Sequence, residues 1–307
     1  MKNLVKYVGV IALVFGLFSC SNNNAQVAEK AIPQKEDTLL MNSDTLYARI
    51  ASNIMNAVAA KRAKIENEAL NVIAETQKFL QDVESGKKDE AIEAGQKLIG
   101  ELDILLTKNP DAALIPIDVR FKIDEVVADI ETVRSITKAA KKAVKDEYYQ
   151  AARELLDGLK SEIVITTFNI PTATYPEAIK AAVMLMQEGK EDEAKAVLQQ
   201  VFGTVVIEDV IVPLPVLKAQ QMVVEAQKID ATNHQNVEKV LNLLKNASYQ
   251  LELAEEMGYG KKDKDYAALY NSIKELVKSV SKKADSKNKF DKLLKDMNKF
   301  NNRLFPF

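Results

Sequence analysis

The chain has 307 residues, 28% of them charged, with a formal net charge of −2, a length that fits one large domain plus an appendage. One cysteine, one histidine and no tryptophan exclude an internal disulfide, a CxxC pair, a thiolate metal site, a multi-histidine zinc site and a two-histidine iron triad. The near-neutral sum hides an asymmetry, because the stretch from Lys261 to the end carries 13 basic and 6 acidic residues while the chain from Cys20 to Gly260 is acidic.

The N-terminus reads as an export signal. Lys2 and Lys6 precede an apolar stretch from Val8 to Phe18. That stretch is far shorter than the roughly 20 residues needed to span a bilayer, and with its basic start it predicts a signal peptide over residues 1–19. Leu17-Phe18-Ser19-Cys20 resembles a bacterial lipobox, with Phe18 departing from the usual small or aliphatic residue. Cys20 is therefore the expected lipidation site, carrying a diacylglyceryl (palmitate-type) anchor on a lipoprotein. An ordinary cleaved signal with an incidental cysteine is the alternative. Residues 20–43 are polar and without apolar period, which predicts a flexible tether. Ser21 is not the aspartate that retains lipoproteins in an inner membrane, and no acidic run follows Cys20. By resemblance to those sorting rules the expected address is the outer membrane, facing the periplasm, where nucleic acid is not an expected partner.

Residues 44–258 read as one mainly helical domain. Ser43 or Asp44 caps a long predicted helix whose Leu46, Ile50, Ile54 and Val58 share a face and which runs through Ile65, Ala69, Val72 and Leu80 to Ser85-Gly86. A second helix is expected from about Lys88 to Leu106, ended by Asn109-Pro110. Ile115, Ile117, Val119, Phe121 and Ile123 then alternate with other residues, the period of a strand. Helix resumes through Val133, Ile136 and Ala140.

A helix–turn–helix repeat follows. Ala151, Ala194 and Val237 align at intervals of 43, with Leu155, Leu198 and Leu241 after them and Ala140, Val183, Ala226 and Ala143, Met186, Ile229 before them. The turns are Lys145-Asp146, Glu188-Gly189-Lys190 and Asp230-Ala231-Thr232. Such a hairpin needs neighbours to bury its faces. The first two units leave through β-branched runs, Val164–Pro171 and Val206–Pro213, both expected to be extended and to pair with each other or with the strand near Ile117. The fold class predicted is mainly α: antiparallel helical hairpins with short extended segments near 115–123, 163–170 and 205–212.

Beyond Gly258, residues 259–307 form a basic appendage of two amphipathic helices broken near Ser286, one carried by Tyr266, Leu269, Ile273, Leu276 and Val280, the other by Phe290, Leu294 and Met297. Two readings stand: the lysines contact anionic lipid or another acidic polymer, or the apolar stripe docks on the body and the lysines face solvent.

Several segments carry a family resemblance. Gln187-Glu188-Gly189-Lys190 with Glu193-Ala194-Lys195, the run Thr166 to Pro176, Val212-Pro213-Leu214-Pro215 and Ile115-Pro116-Ile117-Asp118 resemble the bacterial YfdX family over residues 139–220, extending over 46–257. The resemblance implies an exported helical protein associated with stress responses and virulence in enteric bacteria, with a chaperone-like role in some members. It implies no catalytic residues.

The residues themselves point the same way. GxGxxG, GKS or GKT, HExxH and GxSxG motifs are missing, and the carboxylates fall in surface patterns such as Glu188, Glu191, Asp192 and Glu193. His234 sits in a polar helix start. No catalytic residue, metal ligand or cofactor is expected. The candidate binding surface is Thr166, Thr167, Asn169, Thr172, Thr174 and Tyr175, set between two prolines, with Phe168, Ile170 and Tyr175 as plain core packing the competing reading. The function expected is a membrane-anchored, non-catalytic binding or chaperone-like module with an unknown protein or envelope polymer as partner. The alternatives are an envelope hydrolase with a carboxylate site in a proline-walled groove, or a purely structural envelope component.

Overall fold

The computed structural model describes residues 43–126, 128–260 and 263–304. Cys20, the signal segment and the tether lie outside the described residues. Among those described are eleven helices and three strands, in the order α1 (Ser43–Arg62), α2 (Asn67–Glu84), α3 (Lys88–Lys108), β1 (Leu114–Asp124), α4 (Ile130–Lys145), α5 (Tyr149–Asp157), β2 (Glu162–Pro171), α6 (Tyr175–Gln187), α7 (Glu191–Gly203), β3 (Val206–Pro213), α8 (Leu214–Lys228), α9 (His234–Met257), α10 (Lys264–Ser281) and α11 (Lys287–Leu304). The protein is mainly helical with a small antiparallel sheet, and the three strands fall on the three segments that the sequence marks as extended.

The sheet order is β1-β2-β3. The second strand is central, its Ile165 lying opposite Phe121 on one side and Val210 on the other. Its β-branched run suits a strand paired on both edges. The outer strands carry the charges (Asp118, Arg120, Lys122, Glu208, Asp209), and β1 has an irregularity between Pro116 and Asp118, features that blunt an exposed sheet edge.

Two large cores flank this sheet. One gathers α1, α8, α9, α10 and α11 around Met222, Leu244 and Tyr266, with Val119, Ile163, Ile165 and Val212 from the sheet. The other gathers α2, α3, α6 and α7 around Phe79, Leu98 and Tyr175, with Ile115 and Ile170. The central strand feeds both, because alternate residues point to opposite faces. A smaller cluster of Ile130, Val133, Leu159 and Leu253 seats the base of α4 on α9.

Three local expectations change. The single helix expected from residue 43 to 85 is two, because the stripe of α1 belongs to one core and that of α2 to the other. The break is held by tertiary bonds: Arg62 Nε donates to the Val119 carbonyl at 2.8 Å, and Asn109 Nδ2 donates to Glu66 Oε1 at 3.0 Å. Neither glycine nor proline marks it. The first two repeat units register at 42 residues rather than 43, since Glu147 and Gly189 both hold a positive φ at the helix exit. The third unit, α8–α9, is a hairpin with a different turn, its α8 ending on Ile229 in an extended conformation.

The apolar stripes of α10 and α11 dock on the body. Tyr266, Leu269, Ile273, Leu276, Val280, Phe290, Leu293, Met297 and Phe300 are buried in the same core as α8 and α9, while Lys274, Lys278, Lys292, Lys295 and Lys299 are exposed.

Candidate binding surface

Alternation along the central strand builds two faces. Ile163 and Ile165 point into the core of α8 and α9. Val164, Thr166 and Phe168 point the other way and are half-exposed. Register sets their neighbours into a grid: Lys122, Val164, Ile211; then Arg120, Thr166, Asp209; then Asp118, Phe168, Ile207. Thr166 Oγ1 donates to Asp209 Oδ1 at 2.6 Å, Arg120 Nε donates to Asp118 Oδ2 at 2.6 Å, and the Arg120 guanidinium lies 5.0 Å from the Phe168 ring centroid. Ile207 and Ile211 are 59% and 43% exposed. The grid is a solvent-facing mixture of apolar side chains and fixed charges, spaced by the register of the three strands.

The six residues singled out from sequence divide between environments. Thr166 lies in the grid. Thr167 and Asn169 lie on the opposite face, and buried Asn169 donates through Nδ2 to Glu208 Oε2 at 2.9 Å. Thr172 Oγ1 donates to the carbonyl of Ala112 at 2.7 Å, closing the end of the sheet. Thr174 is exposed at the start of α6. Tyr175 is fully buried; its hydroxyl donates to Thr76 Oγ1 at 2.9 Å, and burial pushes its phenol up to about 12. A period of two turns neighbours in sequence to opposite sides, so these six do not form one surface. Pro171 and Pro213 stand at opposite ends of the central strand, opposite Leu114 and Glu162, and so do not wall a common groove.

Other polar groups serve packing. The Tyr259 hydroxyl donates to Glu162 Oε2 at 2.8 Å and accepts from the Ser161 amide at 3.0 Å, tying the loop before α10 to the start of β2. Burial, the largest cause, raises the Tyr259 phenol above its ordinary range. A cleft of about 230 Å³ between α1 and α8 is lined by Ile50, Asn53, Ile54, Leu217, Gln220, Gln221 and Val224, which offer amides but no carboxylate. His234 opens α9 as a polar helix start, where Asn233 Oδ1 accepts from the Gln235 amide. Among the described residues, no group of three or more His, Cys, Asp or Glu side chains is placed to hold a metal ion, and no helix is long and apolar enough to cross a membrane.

Sequence reasoning missed the isoleucines of the grid, Ile207 and Ile211. The signal was present: within Val206–Pro213 they alternate with Val206, Val210 and Val212, so one of the two apolar sets had to face outward.

Residues 72–211 match the family model described as YfdX protein, a span from within α2 to within β3. A solved structure of YfdX from Salmonella Typhi is similar at 17% sequence identity, covering 49% of this chain and 93% of that chain, with a TM-score of 0.34. No curated protein matches the chain.

Proposed function

We propose, for a chain that belongs to the YfdX family through residues 72–211, that it is a lipid-tethered, non-catalytic binding module of the cell envelope with a chaperone-like action on extended polypeptide. The observation that carries this reading is the outward sheet face, where Ile207, Ile211, Val164 and Phe168 meet solvent beside Arg120, Lys122 and Asp209. Apolar side chains on a rigid, half-charged surface suit exposed apolar segments of another protein: burial of the isoleucines supplies attraction, and the fixed charges at the rim favour polar backbone and discourage collapse of the face on itself. The tether proposed at Cys20 supports the reading by concentrating that surface at a membrane, and the stress association implied by the family fits a surface needed when envelope proteins unfold.

Two experiments test its halves. Chemically denatured client protein should aggregate several-fold more slowly with the wild-type chain than with an Ile207→Asp/Ile211→Asp chain, whose exposed positions leave the fold intact by circular dichroism. Equal protection by both chains, or none by either, sinks the sheet-face reading. Cys20→Ser should move the protein from detergent-extracted membranes to the soluble fraction; continued membrane partitioning would put the anchor elsewhere.

A further inference from the structure

The two C-terminal helices hold their acids and leave their lysines to solvent. Of the six acidic residues beyond Gly260, five are engaged. Asp263 and Asp265 accept from Arg303, Glu275 pairs with Lys278 at 3.0 Å, Asp285 accepts from the Lys287 amide at 3.0 Å, and Asp291 accepts from Gln227 Nε2 at 2.7 Å. The sixth, Asp296, is half-buried. Lys274, Lys282, Lys287, Lys292, Lys295 and Lys299 are exposed, and none of them forms an ion pair with a described residue.

These lysines are ordered. Lys292, Lys295 and Lys299 recur at three and four along α11, on the side opposite buried Phe290, Leu293, Met297 and Phe300. On α10, Lys274 and Lys278 stand away from buried Tyr266, Ile273 and Val280 in the same way. The apolar stripes share a core with α8 and α9, so both rows of lysine face away from the body. The turn between the helices adds Lys282, Lys283 and Lys287, and among the described residues neither helix exposes a large apolar side chain. Three contacts place that turn. Lys283 Nζ lies 3.0 Å from His234 Nδ1 at the start of α9, Gln227 in the last turn of α8 holds Asp291 near the start of α11, and Arg49 near the start of α1 pairs with Glu225 in the last turn of α8. The lysine-rich turn and the start of α1 therefore share one end of this group of helices.

We propose that the lysine face of α10 and α11 is a membrane-contact surface, which lays the domain against anionic lipid headgroups. Each lysine brought within a Debye length of such headgroups adds attraction. The apolar stripes are committed to the core, so nothing enters the hydrocarbon; the contact is electrostatic and salt releases it. An inserting amphipathic helix would instead hold on through its buried apolar face. Position favours a membrane over a soluble acidic partner, because a chain anchored ahead of Ser43 meets the bilayer at this end. The proposal rests on the tether only for that choice, and its lysines lie outside the residues 72–211 that match the family.

Acetylation of the lysines of the full chain on vesicles, read residue by residue by mass spectrometry, tests it. With about one-third phosphatidylglycerol, Lys274, Lys292, Lys295 and Lys299 should react about threefold more slowly than on pure phosphatidylcholine. Lys138 and Lys141, exposed on α4, should not change. Sodium chloride at about 0.5 M, where the Debye length is only about 4 Å, should erase the difference. Lys292→Glu/Lys295→Glu/Lys299→Glu should abolish the protection at Lys274 with the circular dichroism unchanged. Lys138→Glu/Lys141→Glu/Lys142→Glu, equal in charge, should leave that protection whole. Equal rates on the two kinds of vesicle overturn the proposal, as does protection that survives salt or that both triple variants remove alike. Protection by soluble polyglutamate and not by anionic vesicles also overturns it, and assigns the face to a soluble acidic polymer. A Cys20→Ser chain that stays on membranes counts against the tether alone, and the lysine rates still decide this proposal.

Discussion

Glu147 has a φ of 64°, in the left-handed region where Gly86 and Gly189 stand at the exits of α2 and α6. A side chain there crowds its own carbonyl, at a cost of about 1–2 kcal/mol that glycine escapes while losing more chain entropy. Glu147→Gly should therefore stabilise the protein by about 0.5–1 kcal/mol, read as a higher urea midpoint; an unchanged or lower midpoint would show that its side chain has an unseen role. Tyr175 behaves differently, as a core residue with one polar atom. Its phenol ionises near 10 when unfolded and at about 12 when folded. The folded state holds the proton more tightly, so the stabilisation is whole below pH 10 and is lost as pH rises from 10 to 12, by about 2–3 kcal/mol. Urea titrations across that window should show the loss, and Tyr175→Phe should flatten it at a cost of about 1 kcal/mol near neutrality. Residual slope would come from Tyr249, Tyr259, Tyr266 and Tyr270, all also raised by burial.

At the scale of elements, α3 and α6 approach closely at Gly95. A methyl group on Gly95 would stand 2.5 Å from Val183 Cγ2 and 2.9 Å from the ring of Phe79. Gly95→Ala should cost about 1–3 kcal/mol by overpacking. Val183→Ala should relieve it, so the double variant should be more stable than the sum of the two single effects by at least 0.5 kcal/mol, roughly the smallest coupling seen between touching residues; additivity would mean that the helices part to make room. The hairpin repeat was legible because helical period and turn chemistry are local. Its register was legible only to within one residue, because the left-handed position falls on Glu147 in one copy and glycine in the others. The kinship of α2–α3 with α6–α7 was also written in the chain, as Gly86-Lys87-Lys88-Asp89-Glu90-Ala91 against Gly189-Lys190-Glu191-Asp192-Glu193-Ala194, but at a distance outside the interval that the other units share.

For the whole molecule, the basic C-terminal pair is part of a core. A chain ending at Gly260 would leave the covered faces of α8 and α9 in water and remove nine large buried apolar side chains, from Tyr266 to Phe300. Each such side chain contributes about 1.5–3 kcal/mol when buried, so the nine together match or exceed the roughly 5–15 kcal/mol of an ordinary domain. The truncated chain should lose its cooperative unfolding transition and bind a hydrophobic dye; a soluble, cooperatively folding product would show that α1, α8 and α9 close on themselves. Arg303 reinforces the joint, donating through its two terminal nitrogens to Asp263 and Asp265 at 2.7–2.8 Å, though a half-exposed pair adds little beside the apolar contacts.

From the sequence alone came the helices, the three extended segments, the amphipathic C-terminal pair and the family resemblance, all carried by period, turn residues and short motifs that act within a few residues of one another. Tertiary structure alone decided which apolar stripe enters which core, and hence the break at residues 63–66 that no glycine or proline announces. It also decided which side of the central strand meets solvent, which separates Thr166 from Asn169 and buries Tyr175 among α2, α3 and α6. The export signal and Cys20 remain readings of the sequence. The physical reason for the division is range: propensity and capping are set by near neighbours along the chain, whereas burial is a competition among distant surfaces, won by whichever pair excludes the most water.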